Sequence, residues 1–369
     1  MATGDAEVLD RRALNRALLA RQLLTRRAEL SATEAVGHLV GMQAQVPNPP
    51  YIGLWTRLAG FRIEDLARAV RDRAVVRLVL MRGTIHLVTA EDCRCLRPVL
   101  QPSLERALNG AFGRRLTGLD LSAVAALGRE LVEAEPATLG GLGRLLAERW
   151  PDRDAFALAN AVRNLVPLVQ VPPRGLWGES GQAVHTTAES WLGRATAVDA
   201  TPDTMVERYL AAFGPASVKD VQIWSGMTRL AESMRRLRPL LRTFRSESGV
   251  ELFDLPDAPR PDGDVPVPVR YLPEFDNVLL SHADRSRIIS ADHRKPVFTT
   301  NGLIKSTFLV DGFVRGLWRI ERRRDTATLV VEAFGRPLAK KDRTALAQEG
   351  TRLLAFAAAD AAAHDVLFA

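Results

Sequence analysis

The run Val75-Val76-Arg77-Leu78-Val79-Leu80-Met81-Arg82-Gly83-Thr84-Ile85-His86-Leu87-Val88 does most to limit what this chain can become. Apolar and β-branched residues dominate on both sides of one glycine, the pattern of a two-stranded hairpin turning at Gly83. The segments before it are helical. Leu9 to Leu24 carries Leu14, Ala17, Leu18 and Leu24 at helical spacing. Ser31-Ala32-Thr33-Glu34 is a capping box that opens a second helix through Val40 and Met42, stopped by Pro47, Pro49 and Pro50. Ile52 to Leu58 and Ile63 to Arg71 read as two more. Short helices followed by a hairpin are the outline of a winged helix.

The order of elements recurs, although no residue-level repeat accompanies it. Leu139 to Trp150 and Asp154 to Leu165 predict two helices, with Leu168 to Trp177 as strand, turn and strand. Met205 to Phe213, a segment from Ser217 and Met227 to Leu240 predict three helices, with Phe244 to Asp254 a hairpin around Ser248-Gly249. Asp257 to Asp264 is a turn-rich linker. Beyond it, Val265 to Phe334 has strand character, and an Ala-rich helix from Asp342 to Ala363 closes the chain. The expected fold is α+β, with three winged-helix units at 9–120, 121–200 and 201–256 and a barrel-like β-domain at 264–369.

Composition narrows the function classes. Apolar residues make up 47% and charged residues 25%, ordinary for a folded protein, and no window approaches the roughly 18 apolar residues of a membrane span. Cys93 and Cys95 are too close for an ordinary disulfide and have no partners at zinc spacing. No metal or cofactor is expected, and a reducing cytoplasm fits. Net charge is +7, and only five of the 50 basic residues are Lys. Arginine grips phosphate bidentately, so a polyanion partner is one reading and a GC-rich genome the other.

Met42-Gln43-Ala44-Gln45-Val46-Pro47-Asn48-Pro49-Pro50 sets two glutamines one residue apart beside a proline-rich turn. A glutamine amide is neutral at every pH and cannot act as a general base. It donates and accepts at once, which suits it to orienting a water. The same pair would serve equally to cap a helix C-terminus.

The double-glutamine turn, the segment Leu80 to Val88, and Leu272-Pro273-Glu274-Phe275-Asp276-Asn277 running on to Ser281-His282-Ala283-Asp284-Arg285-Ser286-Arg287 occur here in one order. Together they resemble the winged-helix DNA glycosylases of the AlkZ type, over roughly Asp10 to Ala359. The resemblance implies a C-shaped body around double-stranded DNA, a catalytic Gln-x-Gln formed by Gln43 and Gln45, and a hairpin near His282–Arg287 that approaches the minor groove. Its Gln-x-Gln branch implies release of bulky N7-alkylguanines and unhooking of interstrand crosslinks, as self-resistance to a DNA-alkylating natural product. A monofunctional, monomeric, nucleoid-associated enzyme is expected.

Arg82, His282, Arg285 and Arg287 are the expected DNA contacts, with Asp276, Asn277 and Asp284 as supporting side chains. For Arg82 a structural ion pair is an equal alternative, for Asp276 a turn-forming role, and for Asp284 a pairing with Arg285 or Arg287 at a solvated tip. His86 reads as a structural histidine. A non-catalytic winged-helix transcription regulator is the competing function.

Overall fold

A computed structural model describes residues 7–195 and 199–369. The protein is mixed α+β. After a short strand, Val8–Leu9, the Asp10 carboxylate caps helix Arg11–Arg21. Helix Ala32–His38 begins with both hydrogen bonds of the capping box between Ser31 and Glu34. It ends earlier than the expected Met42. Val40 and Gly41 both take positive φ, 53° and 86°, and turn the chain into a strand at Met42–Gln43. Glycine is needed at that turn, because a Cβ on Gly41 would sit 2.6 Å from a Val88 methyl.

The hairpin forms as expected, with Val75–Val79 against Ile85–Thr89. It is not free-standing. Met42–Gln43 pairs with its second strand, Met42 opposite Leu87 and Gln43 opposite His86. Its first strand pairs with Leu168–Val171. That strand finds its partner at Val184–Thr187, not through a tight turn at Gly175, and Ala137–Thr138 closes the far side. One six-stranded sheet therefore joins the first two helical units, with Met42–Gln43 at its edge. A long helix, Ala90–Leu116, links them and carries Pro98 and Pro102 within it.

The third unit packs helices Pro202–Phe213, Val218–Ser225 and Ala231–Leu237 on the hairpin Arg242–Ser246 and Glu251–Asp254. Val8–Leu9 extends that hairpin as a parallel strand. Two apolar cores tie the units together. One gathers Tyr209, Phe213 and Trp224 with Leu80 and Met81, and the other gathers Tyr51 and Leu54 with Tyr271 and Phe308. The Met42–Gln43 strand lies along their seam, since Val40 belongs to the first core and Met42 to the second.

The C-terminal region departs from expectation. Arg270–Leu272, Thr307–Val310, Phe313–Arg323, Thr326–Ala333 and Ala363–Phe368 form an open five-stranded sheet, not a closed barrel. The Ala-rich helix stops at Ala357 and the chain returns as a strand parallel to Thr326–Ala333. The helical crossover lays Leu346, Leu353 and Leu354 into the core that also holds Leu329 and Val331. With one face covered by a helix, the sheet has no need to close on itself.

Candidate active site

The two glutamines occupy the end of an edge strand and the bend after it. Gln43 is 8% exposed, whereas Gln45 is exposed. Hydrogen-bond chemistry fixes both amides. The Gln43 side-chain oxygen accepts from Arg82 Nη2 at 2.8 Å, and the Gln45 oxygen accepts from the Ile85 backbone N–H at 3.1 Å. Both donors lack an acceptor role, so neither amide can be flipped without losing its bond. Each oxygen keeps a second lone pair. The Ala44 amide donates to Ile85 O at 2.7 Å, so the Gln45 side chain continues the strand ladder past the point where the backbone leaves it.

Behind this edge the polar groups are paired. Asn277 donates from Nδ2 to Gly41 O at 2.6 Å and its oxygen accepts from Gln43 N at 3.4 Å. One side-chain amide thus stands where a further strand would be. Asp276 next to it holds Arg57 through two bonds of 2.8 Å, both side chains 1% exposed. Arg77, 4% exposed, donates from Nη2 to Ala44 O at 2.6 Å and pins the residue between the glutamines. Its Nε and Nη1 have no hydrogen-bond partner among the described residues. Burial lowers the Arg77 pKa to about 10.

Arg82 sits in the hairpin turn with φ 56° and spends its guanidinium on Gln43, on Trp224 O and on His86 Nε2. Burial, and then the neighbouring Arg285 cation, bring its pKa to about 10. His86 Nδ1 lies 3.0 Å from Thr84 O. A carbonyl only accepts, so the proton resides on Nδ1 and Nε2 accepts from Arg82. Burial, followed by the charge of Arg82, depresses the His86 pKa to about 3. The ring is neutral near pH 7 and carries no acid–base chemistry. Nothing in this group is a strong base, so what it offers a reaction is oriented dipoles.

The segment after Asn277 has a different fate from the one its charge suggests. His282 is 1% exposed, with Nε2 at 3.1 Å from Phe213 O, and Arg287 is 5% exposed and donates to Pro215 O at 2.8 Å. Asp220 accepts from the Ala283 amide at 2.8 Å and closes this buried group. Burial, then Arg287, brings the His282 pKa to about 3. Asp284 caps its own turn through Ser286 at 2.9 and 2.8 Å and pairs with neither arginine. Arg285 alone among the expected contacts of this segment is half-exposed, stacked on Phe298 at 4.6 Å. It borders a cavity of about 1010 Å3 with Arg11, Lys219 and Arg294 on its walls.

The sequence model of the family described as "DNA glycosylase AlkZ-like" matches residues 36–356, from the helix before the glutamines to the last helix. The chain belongs to the AlkZ-like DNA glycosylase family. It is 25% identical over 323 residues to the "Interstrand DNA cross-link repair glycosylase" of Streptomyces sahachiroi, covering 81% of this chain and 85% of that one. The solved "Streptomyces sahachiroi DNA glycosylase AlkZ" superposes with a TM-score of 0.80 at 22% identity, covering 98% of this chain and 100% of that one.

Within this AlkZ-like enzyme the structure gathers Gln43, Gln45, Arg82, Asp276 and Asn277 on one sheet edge. Two expected DNA contacts, His282 and Arg287, are buried. His282 and Arg287 are enclosed because the third helical unit packs over them, and Arg82 is taken up by Gln43 and Trp224 O. The sequence reading does not pick out Arg57 or Arg77. Arg77 carried a readable signal, being a lone charge inside a β-branched run.

Proposed function

We propose that the protein hydrolyses the N-glycosidic bond of N7-alkylated purines in duplex DNA, bulky adducts and interstrand crosslinks included, and so protects its host from a DNA-alkylating natural product. Alkylation at N7 makes the purine a cation, so it leaves neutral with both bond electrons and needs no proton from the enzyme. Water then bonds to the anomeric carbon and gives up a proton to solvent, leaving an abasic site.

The observation that carries this reading is the fixed orientation of the two amides. With one lone pair of each carbonyl held by Arg82 or by the Ile85 amide, the other accepts from a water and turns its oxygen toward the sugar. The same oxygens present partial negative charge to an oxocarbenium-like sugar, an effect worth about 3–4 kcal/mol for a well-placed dipole. We place the duplex along the exposed side of Gln45, with Arg285 on the backbone and three winged-helix units and the C-terminal sheet arranged around it in a C. The name of the Streptomyces relative supports crosslinks as substrates.

Single-turnover release of N7-methylguanine from a duplex tests the reading. Gln43→Ala and Gln45→Ala should each slow release by at least about tenfold without unfolding the protein. Unchanged rates in both variants would remove the mechanism, and no release by the parent enzyme would return the regulator reading. Borohydride should trap no covalent protein–DNA adduct.

A further inference from the structure

Arg77 stands where a cation is costly. It lies in the middle of the strand Val75–Val79, whose five residues are all buried, and the charged neighbour that acts on it is Arg174, of the same sign. An unused acceptor is at hand on the next strand, since Gln170 is directly opposite Arg77 and its Oε1 has no partner among the described residues. The guanidinium turns the other way. It reaches past the strand Ile85–Thr89 and gives Nη2 to Ala44 O, two strands off. That carbonyl belongs to the peptide that carries the Gln45 N–H, so fixing it fixes the plane from which the Gln45 side chain departs.

A loop of the second helical unit closes on the same group. Gly175 takes φ 101° and lies so near that a Cβ there would meet Arg77 Cδ at 2.7 Å. Tyr51, on the helix Pro49–Arg57 after the turn, donates to Gly175 O at 3.0 Å. Gly178 N donates to Asn48 Oδ1 at 3.1 Å, so the loop is tied to the proline-rich turn at a second point.

We propose that Arg77 is a positioning residue for the reaction: through the Ala44 carbonyl it sets the peptide plane that aims Gln45, and the Gly175 loop holds its guanidinium on that carbonyl. The inference rests on the glycosylase reading above and deepens it. A long, planar donor can span two strands and fix the carbonyl in direction as well as distance, which a shorter or rounder one does not. The unit that carries the loop thereby acts on the chemistry without touching DNA at this point.

Single-turnover release of N7-methylguanine, followed against enzyme concentration, tests it. Arg77→Met should slow the saturating rate by at least about tenfold and leave the half-saturating concentration within about twofold. Arg77→Lys keeps a donor on a shorter arm and should lie between that variant and the parent. In a Gln45→Ala background, Arg77→Met should slow release by less than about threefold more, because its effect runs through that amide. Gly175→Ala should slow release as Arg77→Met does. Gly181→Ala carries the same backbone strain, with φ 103° and nothing within 4 Å of the added Cβ, and should stay within about twofold of the parent. A rate for Arg77→Met within about twofold of the parent's, or an equal loss in the parent and Gln45→Ala backgrounds, overturns the proposal. So does equal slowing by both glycine variants, which decide the matter alone if Arg77→Met fails to fold. Absence of release by the parent would instead defeat the glycosylase reading.

Discussion

The segments Met42–Asn48 and Leu272–Arg287 look alike as text, each mixing amides or charges with apolar residues, and they end in opposite places. The first leaves the sheet edge with Gln45 and Val46 exposed. The second is drawn inside, with Asp276, Asn277, His282 and Arg287 between 1% and 8% exposed. One segment presents amides at the surface, and the other packs behind them. Arginine follows the same division. Arg21 grips Asp254 and Arg57 grips Asp276 in the interior, so part of the basic excess is internal cross-linking and not a DNA surface.

If that contrast is correct, damage to the inner segment should cost stability first. Asp276→Ala leaves Arg57 buried without its partner and should lower the unfolding free energy by about 3–5 kcal/mol in urea titrations. A loss below about 1 kcal/mol would mean that the pair is not sealed from water. Acid should act on the same interior. His86 and His282 have folded pKa values near 3, below the ordinary 6.5. A depressed folded value means that stability is complete above about 6.5 and drains as the pH falls toward 3, because only the unfolded chain takes the protons. Each ring should contribute a loss of up to about 1.4 kcal/mol per pH unit in that window. His282→Gln should flatten the pH dependence of the urea midpoint.

Arg82 stands between the two segments and discriminates them more finely. As a positioning residue for Gln43, its Arg82→Ala variant should release N7-methylguanine about tenfold more slowly, about 1.4 kcal/mol in barrier, with DNA affinity unchanged. A fall in affinity and in its salt dependence would instead make it a phosphate contact. The smallest effect belongs to the exposed cation. Arg285→Ala should reduce the slope of log affinity against log salt by about one unit, while Arg287→Ala should leave the slope alone and lower stability.

Much of the local structure was legible because its causes are local. Ser31 and Glu34 form the capping box that their spacing promises, and the hairpin turns at Met81–Gly83 as the β-branched run requires. The chain beyond His38 reads as helix because Val40 occupies a helical position in the pattern, and yet that residue takes a left-handed φ. The open sheet is hidden in the sequence because its last strand, Ala363–Phe368, follows an Ala-rich segment that reads as continuous helix. The glutamines stood out through their spacing and the three prolines after them. Their supports did not, since Arg57 and Asp276 meet from 219 positions apart and no periodicity records such a pairing. Polarity in a sequence tells what a side chain needs, not whether water or the protein supplies it.

The shared sheet has a mechanical consequence. Arg77 faces Gln170 and Leu78 faces Val169 across the join, so both hairpins belong to one stiff plate whose border carries Gln43. Neither of them is at liberty to dip independently into a groove of the duplex. On the glycosylase reading, a lesion meets Gln43 through the whole plate tilting, or through the nucleotide travelling to the border.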